Sequence, residues 1–330
     1  MTVEIAEKAR ATQGVRHEEV AADCAGQRID NYLLRILKTV PRSRIYRLLR
    51  KGEVRVGGRR VKPEHRLKAG DSVRIPPVRL ESASQIAPPR PMREQLRQAI
   101  VFEDKNLIAL DKPAGIAVHG GSGLSLGVIE ALRAERPREA LELVHRLDRD
   151  TSGCLLIARN RKTLRELHAL IRDGAMEKRY LALVRGNWQF GEKRIDVPLQ
   201  TEHRRSGERH VRAAARGKES VSVFKPAQFF GARATLLEIE IQTGRTHQIR
   251  VHAGHTGHPV AGDEKYGDAG FNEEMRSFGL ERLFLHAHSV AFSWPGSQEP
   301  AHFSAPLPVE LRTVIDRLQA APGRSRAKRR

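Results

Sequence analysis

The chain has 330 residues, 39% of them hydrophobic, and carries 59 Lys and Arg against 39 Asp and Glu, a formal net charge of +20. That length and apolar content allow one large domain with its own core and a small one beside it, and the charge calls for a polyanionic partner, nucleic acid being the commonest and an anionic membrane surface the rival. No apolar run approaches the roughly 18–20 residues that span a bilayer, Met1–Gly26 lacks the apolar stretch of a signal peptide, and Cys24 and Cys154 offer neither a disulfide framework nor zinc spacing, so a reduced, cytoplasmic protein with no membrane partner is expected.

Residues 1–24 are polar, with weak periodicity, and read as a flexible leader. A small domain follows over 25–80. Ile29, Leu33, Ile36 and Leu37 recur at helical spacing. Ile45, Leu48 and Leu49 do the same after Pro41, and Gly52 ends that second helix. Val54-Arg55-Val56 and Arg59-Arg60-Val61 flank Gly57-Gly58 as a β-hairpin with a tight turn, and Val73-Arg74-Ile75 is a further strand. Residues 25–76 hold 15 Lys or Arg and 4 Asp or Glu, a net +11 and more than half of the chain's excess. Arg42, Arg44, Arg47, Arg50 and Lys51 line the polar face of the second helix, a row suited to phosphates. An ordinary solvated helix face would mix both signs, and acids are almost absent here.

Pro88, Pro89 and Pro91, with few apolar neighbours, make 81–97 a linker. It would let two domains engage one RNA together. The large domain spans 98–318. Val101-Phe102, Leu107–Leu110 and Val118 read as short strands, and Leu126–Leu132 as a helix with Ser125 at its N-cap. Asn160 caps a helix whose Leu164, Leu167, Leu170 and Ile171 share a face, stopped by Gly174. Tyr180–Val184, Val221–Phe224, Leu236–Ile241 and Leu283–Phe292 are strands, and Leu307–Leu318 is a closing amphipathic helix. Many strands with few strand–helix alternations predict an α+β fold with a mixed, mostly antiparallel central sheet. Residues 319–330, rich in Arg and Lys, form a basic tail.

The densest chemistry lies in Leu143–Asn160, LVHRLDRDTSGCLLIARN. The apolar runs Leu141–Val144 and Cys154–Ala158 read as buried strands, and the polar segment between them as their loop. Charges set between core strands must be paired or must line a cleft, and loops on a rigid scaffold often carry function. The competing reading is that Asp148 or Asp150 caps a turn and pairs with a neighbouring arginine.

HRLDRDTSG (His145–Gly153) resembles the signature of the RluA-type pseudouridine synthases. The resemblance continues in DKPAGIAVHGG (Asp111–Gly121), KRYLALVRG (Lys178–Gly186) and TGRTHQIRVH (Thr243–His252). The N-terminal segment is similar to the small RNA-binding domain first named from ribosomal protein S-four, whose two helices and following hairpin dock on structured RNA. Nearly the whole chain is covered. The resemblance implies a mixed sheet crossed by a catalytic cleft and isomerisation of uridine to pseudouridine, with large-subunit ribosomal RNA as partner. It implies no cofactor and no metal, and a monomer is expected.

The resemblance also assigns residues. Asp148 becomes the nucleophile or base; Asp150, two residues on, is rejected by the motif alone. Three acts stay open for Asp148: attack on the ribose anomeric carbon, attack on the uracil ring, or removal of the ribose 2′-proton. Alternation puts Tyr180, Ala182 and Val184 on one side of a strand. A tyrosine there is ordinarily a half-buried core residue; the resemblance stacks it on the uracil, an interaction worth about 1–3 kcal/mol. Arg250 would pair with Asp148, since a guanidinium keeps a carboxylate ionised in a dry cleft and does not itself deprotonate. Arg146 would fill the gap left by a flipped-out uridine, where the plainer reading is a phosphate contact. Lys112, with Pro113 and Gly115, would shape the cleft and touch RNA backbone.

The run His252-x-x-His255-x-x-His258 invites a metal, but no His-Glu-x-x-His pattern accompanies it, and Gly254, Gly257 and Pro259 break a helix that could align ligands. A metal is therefore not expected. Two other functions compete: a non-catalytic RNA-binding ribosome-assembly factor, and a metal-dependent RNA hydrolase built on the histidines. The intact motif stretches favour the isomerase.

Overall fold

In the computed structural model, residues 14–37, 40, 42–78, 88–120, 126–203 and 209–321 are described, and the chain falls into two units, 1–86 and 87–330. The first contains β1 (Arg16–Glu19), α1 (Ile29–Ile36), α2 (Arg42–Lys51), β2 (Arg55–Val56), β3 (Arg59–Arg60) and β4 (Ser72–Ile75). Its antiparallel sheet runs β1-β4-β2-β3. Ile29, Leu33, Ile45, Leu48, Val54 and Val73 form the core that the helical and strand periodicities foretell. Gly57 and Gly58 both take positive φ, 52° and 76°, the conformation a two-residue hairpin turn demands and side chains resist.

The expected leader is corrected over its second half. Arg16–Glu19 pairs with β4, and Val20 is buried in the core. An edge strand reading RHEE has no apolar alternation to betray it; main-chain bonding to β4 defines it. Residues 1–13 lie outside the described residues.

The second unit contains α3 (Arg90–Gln98), β5 (Ile100–Glu103), β6 (Leu107–Lys112), α4 (Val128–Glu135), β7 (Glu142–Leu143), β8 (Ser152–Ala158), α5 (Arg161–Arg172), β9 (Glu177–Arg185), β10 (Lys193–Asp196), β11 (Leu199–His203), β12 (Arg209–Ala213), β13 (Val221–Phe230), β14 (Ala234–Ile241), α6 (Gln248–His255), α7 (Ala269–Ser277), β15 (Leu285–Ser293), β16 (Pro300–Ser304) and α8 (Val309–Ala320). Ten strands make one sheet in the order β10-β13-β14-β9-β15-β8-β6-β5, with β16 beside β15 and β7 beside β8. All pairings are antiparallel except that of β15 with β8. The sheet is thus mixed and mostly antiparallel, as expected. β11 and β12 form a separate hairpin.

All seven residues of β8 are buried. Their alternation splits between two cores: Leu155 and Ile157 pack with Tyr180, Ala182 and Ile239 on one face, Cys154 and Leu156 with Phe292 and Phe303 on the other. Gly153 opens this strand at φ 111°, and a Cβ there would sit 2.2 Å from the Ala287 carbonyl oxygen. That glycine lets β15 approach the end of the motif loop.

The linker expected over 81–97 is corrected over 90–97, which is helical in α3; residues 81–87 lie outside the described residues. Pro91 sits in the first turn, where a missing N–H costs nothing, and Leu96 is buried in the main core. Val118 lies outside any strand. Gly127 caps α4, and the Glu130 carboxylate accepts from the Gly127 and Gly120 N–H groups. Ser125 and the basic tail beyond 321 lie outside the described residues. Asn160 caps α5 as read, accepting from the Thr163 N–H at 2.9 Å. Among the described residues no helix is long and apolar enough to cross a membrane.

Candidate active site

The motif loop joins β7 to β8 and is tied at both its carbonyl turns. The Thr151 N–H donates to the Asp148 carbonyl at 3.2 Å, and the Arg149 carbonyl accepts from the Gly115 N–H at 2.9 Å. The Lys112 ammonium also donates to the Arg149 carbonyl, at 3.0 Å, and to those of Pro113 at 2.7 Å and Ile116 at 2.9 Å. Lys112 is 0% exposed. It therefore does not touch RNA backbone, and that expectation is corrected: Lys112 is an internal tie between the 112–116 stretch and the residue after Asp148. Burial pushes its amine down to about 7, opposed chiefly by the charges of Asp150 and Asp148. Three carbonyl acceptors around one nitrogen match the three N–H bonds of the charged form.

The two aspartates of the loop differ sharply. Asp150 pairs with its exposed neighbour Arg149 at 3.0 Å, which is what the turn-pairing alternative describes. Asp148 has a 25% exposed side chain and faces Arg250, with Nη1 to Oδ2 at 3.9 Å. Arg250, 7% exposed, comes from the first turn of α6 and spends its strongest bonds elsewhere. Its Nε and Nη2 donate to Asp263 Oδ2 and Oδ1 at 2.7 Å each. Burial works against the guanidinium charge, and the Asp263 bonds more than restore it. Burial likewise disfavours the Asp263 carboxylate, but Arg250 and the backbone N–H groups of Tyr266 and Lys265 hold it below the usual range.

Tyr180 sits mid-strand in β9, between Ile239 of β14 and Ala287 of β15. It is buried, and its phenol is pushed up first by burial and then by the charge of Asp148. It stays neutral, in reach of that carboxylate's field. Residues 148, 180 and 250 thus come together from three motif stretches. Arg146 is exposed, with no hydrogen bond or ion pair among the described residues. In the first unit Arg44, Arg47, Arg50 and Lys51 are all exposed on α2; the side chain of Arg42 lies outside what is described.

α6 is held by a closed polar network. Gln248 accepts from the Thr243 hydroxyl and the Arg245 N–H, and donates to the Val221 carbonyl and the Ser222 hydroxyl oxygen. His252 bonds Ser222 and the Val197 carbonyl through its two nitrogens. The motif's Thr, Gln and second His are therefore spent on positioning the helix that carries Arg250. Among the described residues no group of three or more His, Cys, Asp or Glu is placed to hold a metal ion. A groove of about 510 Å³, lined by Glu177, Glu240, Phe292 and Pro300 among others, holds none of the candidate residues.

Sequence reading missed Asp263, His247 and Tyr266. Asp263 is the buried counter-charge of Arg250, and one signal was available: an arginine bracketed by apolar positions needs an acid, and Asp263 follows the apolar Pro259-Val260-Ala261. His247 lies within the TGRTHQIRVH stretch, three residues before Arg250, but its partnership with Tyr266 is purely spatial and had no mark in the sequence.

The chain matches the RNA pseudouridylate synthase family over residues 106–255 and the S4 domain over 27–73. It is 51% identical over 310 residues to the ribosomal large subunit pseudouridine synthase C of Pasteurella multocida, covering 93% of this chain and 95% of that one. To the protein of the same name from Escherichia coli K12 it is 50% identical over 315 residues, covering 94% and 98%. The solved structure of human RNA pseudouridylate synthase domain containing 4 superposes with a TM-score of 0.57 at 24% identity, over 71% of this chain and 97% of that one, a likeness of fold.

Proposed function

The chain belongs to the RNA pseudouridylate synthase family, whose members isomerise uridine to pseudouridine in RNA, and on that premise we propose that it modifies uridines of large-subunit ribosomal RNA with Asp148 as the reacting carboxylate. The relatives named for the ribosomal large subunit, alike over nearly their full length, support the substrate. The S4 domain and the exposed Arg44, Arg47, Arg50 and Lys51 support a separate grip on that RNA. The enzyme works as a cytoplasmic monomer in this reading.

The observation that carries the assignment is the company Asp148 keeps: Arg250 at 3.9 Å, itself anchored by Asp263, and the buried phenol of Tyr180. The reaction breaks the bond from ribose C1′ to uracil N1 and forms one from C1′ to C5. C5 loses a proton and N1 gains one, so the atoms balance within the substrate. Asp148 supplies the reacting oxygen, Arg250 stands beside it as a counter-charge, and Tyr180 offers the base an aromatic floor. A uridine within folded RNA must first leave its stack, and exposed Arg146 is the side chain that takes its place.

Purified protein incubated with large-subunit ribosomal RNA transcripts should form pseudouridine. Asp148→Asn should abolish this with RNA affinity within about twofold, while Asp150→Asn keeps it. Turnover retained by Asp148→Asn refutes the assignment. Absence of product from the unaltered chain would favour the non-catalytic assembly factor.

A further inference from the structure

His247 stands as close to Asp148 as Arg250 does, with Nε2 to Oδ2 at 3.9 Å. It holds a left-handed backbone, φ 54° and ψ 22°, immediately before α6. That region is disfavoured for a residue with a Cβ, and such conformations survive where the surroundings impose them.

The His247 ring is held by Tyr266. His247 Nδ1 lies 2.8 Å from the Tyr266 hydroxyl oxygen, and the same oxygen accepts the Val211 N–H from β12 at 2.9 Å. A phenol has one hydrogen to give. Donation of that hydrogen to Nδ1, with the Val211 N–H on the oxygen, satisfies both groups at once. The imidazole proton then sits on Nε2, the nitrogen that faces Asp148. Burial, chiefly, keeps the ring neutral; Arg250 and Lys265 reinforce this, and Asp148 and Asp263 oppose it. Both approaches to Asp148, from His247 Nε2 and from Arg250 Nη1, address the same oxygen, Oδ2.

We propose that His247 is a positioning residue for Asp148: fixed by Tyr266 as the Nε2–H tautomer, it joins Arg250 in holding Oδ2 and so presents Oδ1 to the substrate. The inference rests on the reading of Asp148 as the reacting carboxylate. In the free enzyme 3.9 Å is too long for a hydrogen bond, and catalytic contacts of this kind commonly tighten when substrate binds. The same hydroxyl ties β12, so seating of the β11–β12 hairpin and the tautomer of His247 are set by one group.

Two substitutions separate this role from a structural one. The amide nitrogen of glutamine reproduces an Nε2–H donor, whereas asparagine best tolerates the left-handed backbone. His247→Gln should keep kcat within about threefold. His247→Asn should lower it at least tenfold with KM for ribosomal RNA little changed. The reverse ranking overturns the proposal. Nitrogen NMR of 15N-histidine-labelled wild-type enzyme should show His247 protonated on Nε2, and a proton on Nδ1 overturns it without any mutation. Tyr266→Phe keeps the ring over Arg250, 5.0 Å from the guanidinium carbon, and removes only the hydroxyl. It should release the tautomer and lower kcat three- to tenfold; an unchanged tautomer counts against the lock. Asp148→Asn forms a separate arm. If it remains active, the reading of Asp148 fails whatever His247 does; if it is dead while His247→Asn works and His247→Gln does not, only the present inference fails.

Discussion

Arg250 and Asp263 meet through two hydrogen bonds of 2.7 Å in the protein interior, and that pair, more than Asp148, fixes the guanidinium beside the Asp148 carboxylate. Asp263→Asn keeps the shape and removes the charge. Breaking a buried pair from one side leaves the other charge uncompensated, at about 3–5 kcal/mol, so urea unfolding should show a loss of that order and turnover should fall at least tenfold. The pH dependence has a definite sign. The Asp263 carboxyl is held below its usual value, so its contribution is complete above the unfolded value near about 4 and is lost only as pH falls through the lower folded one. The stability gap between wild type and Asp263→Asn should be flat from neutral pH to about 5 and close only in stronger acid.

Lys112 gives a second test, because its internal position separates two roles that the sequence left together. Lys112→Met fills the space but abandons three carbonyls. Unmade bonds to buried polar groups cost about 1–3 kcal/mol each, and the Arg149 carbonyl beside Asp148 would lose one of its two anchors. Turnover should drop roughly tenfold or more. The slope of RNA affinity against salt should stay the same, whereas removal of a phosphate contact lowers it by about one.

Two histidines, His286 fully buried and His145 partly buried, make the fold acid-sensitive. Burial pushes His145 down to about 3 and His286 down to about 4. In the unfolded chain each takes its proton near about 6.5, so below that pH the unfolded state binds more protons and stability falls. Each ring contributes up to about 1.4 kcal/mol per pH unit until its folded value is reached. Melting temperature should decline steadily from pH 6.5 to 4.5. His286→Gln should flatten that slope, even if its melting point at pH 7 is lower.

The row on α2 predicts a charge effect without a fold effect. Arg44, Arg47 and Lys51 are exposed, and exposed substitutions usually move stability by less than about 0.5 kcal/mol. The triple alanine variant should melt near wild type, bind large-subunit ribosomal RNA more weakly, and show a salt slope shallower by roughly three. An unchanged slope would remove α2 from the RNA interface.

Much of the fold was legible because its determinants are local. The Gly57-Gly58 turn, the Asn160 cap and the apolar run of β8 announce themselves within a few residues. What escaped had no local mark. β1 is polar throughout and is a strand only because β4 lies beside it. α3 begins with prolines that a helix tolerates in its first turn, and Leu96 commits it by burial. The hairpin of β11 and β12 is polar and short, so its period of two is faint.

The site divides the same way. The motif stretches by themselves determined which aspartate, tyrosine and arginine to consider, because each chemical type stands in a stretch whose pattern is contiguous in sequence. Only the tertiary structure decided how they are held: that Lys112 is an inner tie, that Asp263 is the true partner of Arg250, and that His247, bonded to Tyr266, stands opposite Asp148. A hydrogen bond depends on distances of a few tenths of an ångström between side chains from separate elements, and those distances exist only once the sheet has brought the elements together.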